Sequence, residues 1–237
     1  MKTIRHYMYL FYILSICTSC ADASKNRGDK AIVIAIDYTD SLLLYPTSND
    51  VLHLTELDIN PWQGVTLEII GISDKDVNIS KTFNMPSGNR LIGNIQQRTA
   101  LVEKFKLDVD QYLKQTQYKR ELEHSIIYRT IANCLNKLSS IKSVEKQLVV
   151  YSNLMENAEV DFYDSTTFKQ IQSNYGKVKQ KMQLDITIQN GKGIEVLFLY
   201  NPISFDDNST YRITSNFFKK LLEENGAIVH VGLSVNQ

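Results

Sequence analysis

Residues 31 to 36, AIVIAI, are apolar without interruption and rich in Ile and Ala, and they lie close to the start of the chain. A run this short with no alternation is the pattern of a strand buried on both faces, which is the environment of a parallel sheet covered by helices. A sheet of that kind needs crossover connections, so the rest of the sequence should supply helices between further strands. It does. VTLEIIGI at 65–72 reads as a second strand after the break at Asn60, Pro61 and Gly64, and a short extended piece is expected around Lys81 to Phe83, ahead of the turn-rich MPSGN. Helical spacing follows from about Asn94 to Tyr118 through Leu101, Phe105, Val109 and Tyr112 or Leu113. A second helix carries Ile127, Ile131, Leu135 and Leu138, with Ser125 placed as a candidate cap. QLVVY at 147–151 and GIEVLFLY at 193–200 read as strands, FFKKLLEEN at 217–225 as a helix bounded by Ser215 and Gly226, and AIVHVGL at 227–233 as the last strand. The expected fold is therefore α/β: a three-layer, doubly wound, mostly parallel sheet with helices on both faces.

The first twenty residues are of another kind. Lys2, Arg5 and His6 precede the apolar run YMYLFYILSI, which gives way to CTSC, the order of parts in an export signal. The run is shorter than the stretch a membrane-spanning helix needs. Its end resembles the lipobox of bacterial lipoproteins, and the resemblance implies lipid modification of Cys20 and location in the cell envelope, at the outer membrane or the periplasmic face; Cys17 is the alternative acceptor. Residues 21–30 are small, polar and unpatterned, as in a tether. The expected organisation is a signal at 1–20, a tether at 21–30 and a single domain over 31–237. Cys134 would then be the only domain cysteine, expected to be a small buried hydrophobe.

Several functional classes lack support. Twenty-six basic residues balance twenty-six acidic ones, so no overall charge favours nucleic acid. Nucleotide binding lacks a Gly-x-Gly-x-x-Gly after the first strand, and NGKGIE at 190–195 precedes a strand instead of joining strand to helix. His53, His124 and His230 show no metal-ligand spacing, and Asp37 with Asp40 has no evident acid, base or oxyanion site around it. The chain is thus read as no enzyme, with an uncharacterised hydrolase as an alternative. Tyr112, Tyr118, Tyr128 and Tyr151 are expected at the core edge with solvated hydroxyls.

In an open α/β sheet, ligands gather beyond the carboxyl ends of the strands. The chain leaves its first strand at Asp37 and the QLVVY strand at Ser152 and Asn153, and Ser125 leads into the intervening helix. DYTDS, with Asp37, Thr39 and Ser41, resembles the Asp-x-Ser/Thr-x-Ser metal-ion-dependent adhesion site of von Willebrand factor type A domains. SIIYRTIANCLNKL and VVYSNLMEN resemble the later elements of that site, and FFKKLLEENGAIVHV resembles the closing helix and strand of lipoprotein relatives. The resemblance implies a site at Asp37, Thr39, Ser41, Ser125 and Asn153 that holds Mg²⁺ or Mn²⁺ and a partner's acidic side chain, oxygen donors being what such hard cations prefer. Asn153 replaces the family's usual Asp, and Pro46 leaves little room for its long first helix. The implied function is protein–protein interaction at the carboxyl edge of the sheet, in a membrane-anchored lipoprotein; the alternative is a metal-free scaffold of an envelope complex. The loops at 72–78, 157–164 and 204–210 are expected on the same rim.

Overall fold

The computed structural model describes residues 29–39, 42–73, 79–116, 124–143, 145–158 and 160–233. The elements in order are β1 (Lys30–Asp37), α1 (Ser48–Thr55), β2 (Val65–Ile72), β3 (Ser80–Met85), α2 (Ile95–Thr116), α3 (Ile127–Ser140), β4 (Glu145–Tyr151), α4 (Ser165–Ser173), α5 (Tyr175–Met182), β5 (Glu195–Leu199), α6 (Phe205–Glu223) and β6 (Ile228–Gly232). The six strands form one sheet in the order β3-β2-β1-β4-β5-β6. All neighbours run parallel except β3, which pairs with β2 antiparallel at the edge. The expected α/β architecture is the one observed.

Register shows which helix covers which face. Val33 pairs with Glu68, whose carboxylate meets Lys137 of α3 at 2.6 Å. Ala35 pairs with Val150 and Val150 with Phe198, whose ring packs edge-on against Phe218 of α6. Residues two apart share a face, so α3 and α6 lie on the Val33 and Ala35 side. On the opposite side Ile32 pairs with Leu67 and Leu67 with Phe83, which contacts Phe105 and Tyr112 of α2. The whole of β1 is therefore buried, as its unbroken apolar run requires.

Local chemistry moves several boundaries from their expected places. Lys30 is not tether: it opens β1, buried between Glu56 at 3.0 Å and Glu145 at 3.1 Å. The first helix starts just after Pro46, and α1 has eight residues, opened by Thr47 and Asp50 in a reciprocal capping box. The final helix begins at Phe205, not 217. Ser204 caps it by accepting from the Asp207 N–H at 3.1 Å, so the acidic stretch 204–210 is a helix start and Ser215 is interior to the helix. Tyr151 and Tyr128 are buried in the core, the Tyr128 hydroxyl donating to Ile186 O at 2.9 Å, so neither is a wet edge residue. The expectation for Tyr118 and the stretch 74–78 lies outside the described residues.

Cys134 is buried on α3 as expected. Burial pushes its thiol up to about 12, Glu68 adding to the shift and Lys137 opposing it. Iodoacetamide at pH 8 should leave Cys134 unmodified in the native chain and label it in urea, as read by mapping its peptide. Since the folded value lies above the unfolded value of about 8.5, the stability this thiol contributes is complete below that pH and is lost as pH rises toward 12.

Candidate functional site

The chain moves outward from β1 through β2 to β3, then returns to place β4 on the other side of β1. The carboxyl ends of β1 and β4 thus flank the topological switch point, where open sheets form their crevice. Asp37 closes β1 there with 0% exposure. A buried carboxylate is tolerated only when its oxygens are bonded. Oδ1 accepts from the Thr39 N–H at 3.1 Å and the Thr39 hydroxyl at 2.6 Å. The Ser125 hydroxyl donates to Oδ1 at 3.3 Å, and Ser152 Oγ donates to Oδ2 at 2.8 Å. Thr39 Oγ1 and Ser125 Oγ are also in hydrogen-bond contact. Three separate segments therefore converge on one carboxylate.

Ser125 does not cap α3. The N-cap is Ile126, without a side-chain bond, while the Ser125 hydroxyl turns to Asp37. The missing cap comes from Glu156, a buried side chain whose Oε2 accepts from the Tyr128 N–H at 2.7 Å. A carboxylate at a helix start satisfies an orphan donor and sits favourably in the helix dipole. The Asn157 N–H donates to Ser125 O at 3.1 Å, so the loop after β4 holds Ser125 opposite Asp37.

That loop also decides which polar residue reaches the cluster. The last β1–β4 pair is Ile36 with Tyr151, so Ser152 comes level with Asp37. Asn153, one residue on, accepts through its Oδ1 from the Met155 N–H at 2.8 Å and through its carbonyl from Thr214 of α6 at 3.1 Å. Leu154 then takes φ 59°, a left-handed conformation unusual for a side chain of its size, and its N–H donates to Ser152 Oγ at 2.9 Å. The structure thus brings together Asp37, Thr39 and Ser125 and adds Ser152, while Asn153 Oδ1 bonds the Met155 N–H. Ser41, Asp40 and Cys20 lie outside the described residues.

The donor chemistry suits a hard cation, since Thr39 and Ser125 supply hydroxyl oxygens beside a carboxylate. The charge is small. Among the described residues no group of three or more His, Cys, Asp or Glu could hold a metal. At the same edge of the sheet, the exposed Leu43, Tyr163 and Ile203 lie on connections leaving the carboxyl ends of β1, β4 and β5, and the exposed Phe205 opens α6.

No family model matches the chain, and no curated protein matches it in sequence. Solved structures do match. The PilB minor pilin from Streptococcus sanguinis superposes with a TM-score of 0.50 at 10% identity, over 91% of this chain and 59% of the pilin. The pilus adhesin SpaC from Lactobacillus rhamnosus GG gives 0.45 at 13% identity, over 90% of this chain and 29% of the adhesin. An aerotolerance-related membrane protein from Bacteroides fragilis gives 0.37 at 11% identity, over 87% and 93% of the two chains. The chain spans less than two thirds of the pilin and adhesin it matches, and at these identities the likeness to the pilin is one of fold.

Proposed function

We propose that the chain is a protein-binding domain of the cell envelope, similar in fold to von Willebrand factor type A domains, that grips its partner over the carboxyl edge of the sheet. The observation supporting this is the fully buried Asp37 at the switch point, ringed by hydroxyls from three chain segments. A buried carboxylate at a crevice mouth, with exposed Leu43, Ile203 and Phe205 on the same edge of the sheet, suits recognition of a partner surface. The proposed organisation keeps a signal, Cys20 as the lipidated residue, a tether ending at residue 29 and one domain from Lys30. A minor pilin among the fold neighbours is consistent with surface recognition.

A divalent cation, Mg²⁺ or Mn²⁺, would be held by Thr39 and Ser125, with Asp37 behind them supplying the negative charge. Among the described residues the site has one carboxylate, and a partner's acidic side chain would add charge to it. The cation-free alternative is favoured by one feature, the saturation of Asp37 by protein donors. Calorimetric titration of Mn²⁺ into the metal-stripped chain separates the two. Saturable heat that disappears in Ser125→Ala is the expected result; no heat, with binding to the partner unchanged by EDTA, would leave the cation-free form. Ser125→Ala is the suitable variant because Asp37 keeps its bonds from Thr39 and Ser152.

A further inference from the structure

Parallel strands give the domain two unlike poles, and the pole opposite Asp37 receives the chain. The Lys30 N–H donates to Gly64 O at 2.9 Å. A Cβ on Gly64 would fall 2.2 Å from Asp29 Oδ1 and 3.1 Å from the Ser87 amide nitrogen, so the segment before β2 lies against both the entering chain and the loop after β3. The same two segments carry exposed apolar side chains: Ile59 on the first, with the half-buried Trp62, and Leu91 at 93% exposure and Ile92 at 85% on the second.

The loop that presents them is braced. The Gly88 N–H donates to Trp62 O at 2.8 Å, and the Leu91 and Gly93 N–H groups donate to Asn89 Oδ1 and O at 2.8 Å each. Gly93 is so close to the indole that a Cβ would meet it at 2.3 Å. Behind them the buried Arg98 donates to Gln63 O at 2.8 Å and to Pro61 O. Leu91 and Ile92 are thus held outward by a defined turn, with the exposed Arg90 beside them. Among the described residues nothing covers them, and no helix is long and apolar enough to cross a membrane.

We propose that this pole is a membrane-facing foot, with Ile59, Leu91 and Ile92 entering the boundary between headgroups and acyl chains and Trp62 lying at that level. Aliphatic tips beside an indole and an arginine are the chemistry of an interfacial contact. The proposal rests on the reading of Cys20 as the lipidated residue. From there to Asp29 the chain spans at most about 30 Å when fully extended, which keeps the entry pole near the bilayer. The Asp37 pole is then turned away from the lipid, toward partners.

Trp62 is the chain's single tryptophan, so its fluorescence reports on this pole alone. The full lipidated chain is reconstituted into vesicles of three parts phosphatidylethanolamine to one part phosphatidylglycerol, with ordinary or brominated acyl chains. The expected result is at least twofold quenching of Trp62 by the brominated lipid. Leu91→Ser with Ile92→Ser should remove the quenching while the chain still floats with the vesicles and melts at the same temperature. A chain that floats with Trp62 equally bright in both lipids would overturn the foot and leave the anchor intact. Failure of the unaltered chain to float would overturn the anchor and this orientation together. Shielding of Trp62 only in intact cells, with crosslinks to a protein, would assign the patch to a protein partner instead.

Discussion

Replacing Asp37 by alanine should lower the unfolding free energy by about 3 kcal/mol, because it removes the common acceptor of several buried donors. Ser152 Oγ, Thr39 N and Oγ1 and Ser125 Oγ all point to this carboxylate, which has no exposed surface. An unmet buried donor costs about 1–3 kcal/mol, and rotation of the hydroxyls toward other acceptors recovers part of the sum. Asp37→Asn keeps the shape and one acceptor, and its amide can donate to hydroxyls that reverse direction, so about 1 kcal/mol is expected there. Urea unfolding measures both. An alanine variant as stable as the parent would mean that the three segments hold their places without the carboxylate.

The second large effect is expected at Glu156. Alanine there leaves the Tyr128 N–H at the start of α3 without its acceptor and removes a negative charge from the positive end of the helix, for a combined loss of about 2–3 kcal/mol. Glu156→Gln retains an acceptor without the charge and should cost roughly half as much. The loss should also be local, since the loop after β4 positions Ser125 through the Asn157 N–H. Amide hydrogen exchange at Tyr128 should therefore accelerate in the alanine variant before exchange in β1 or β4 changes. Uniform acceleration across the sheet would instead show that Glu156 supports the whole fold and not the site.

The sheet was legible because its strands obey simple rules. AIVIAI and VTLEIIGI are buried on nearly every residue, and the second strand spans 65–72 as expected. The helix boundaries were harder. SFDDNST reads as an acidic rim, yet Ser204 and Asp207 are a cap followed by an acidic first turn, the ordinary chemistry of a helix start. α4 and α5, short and polar outside, gave too little periodicity to be named in advance, although Asp164 and Asn174 cap them.

Within the site, Asp37, Thr39 and Ser125 were visible as residues that end a strand or precede a helix. Ser152 follows Tyr151, whose partner in β1 is Ile36, so strand register brings it level with Asp37. The left-handed turn at Leu154, which directs the loop back to α3, has no signal in the sequence because glycine or asparagine is the usual occupant. Glu156 was equally silent, since its partner is a backbone N–H 28 residues away.

The carboxyl edge as the partner-binding surface is tested most directly by photocrosslinking in living cells. A benzophenone side chain at Phe205, exposed at the carboxyl edge of the sheet, is compared with one at Lys142, exposed just before β4 at the opposite pole. A discrete protein adduct from position 205, weakened by Ser125→Ala and absent from position 142, is the predicted result. An adduct from position 142 alone would contradict it.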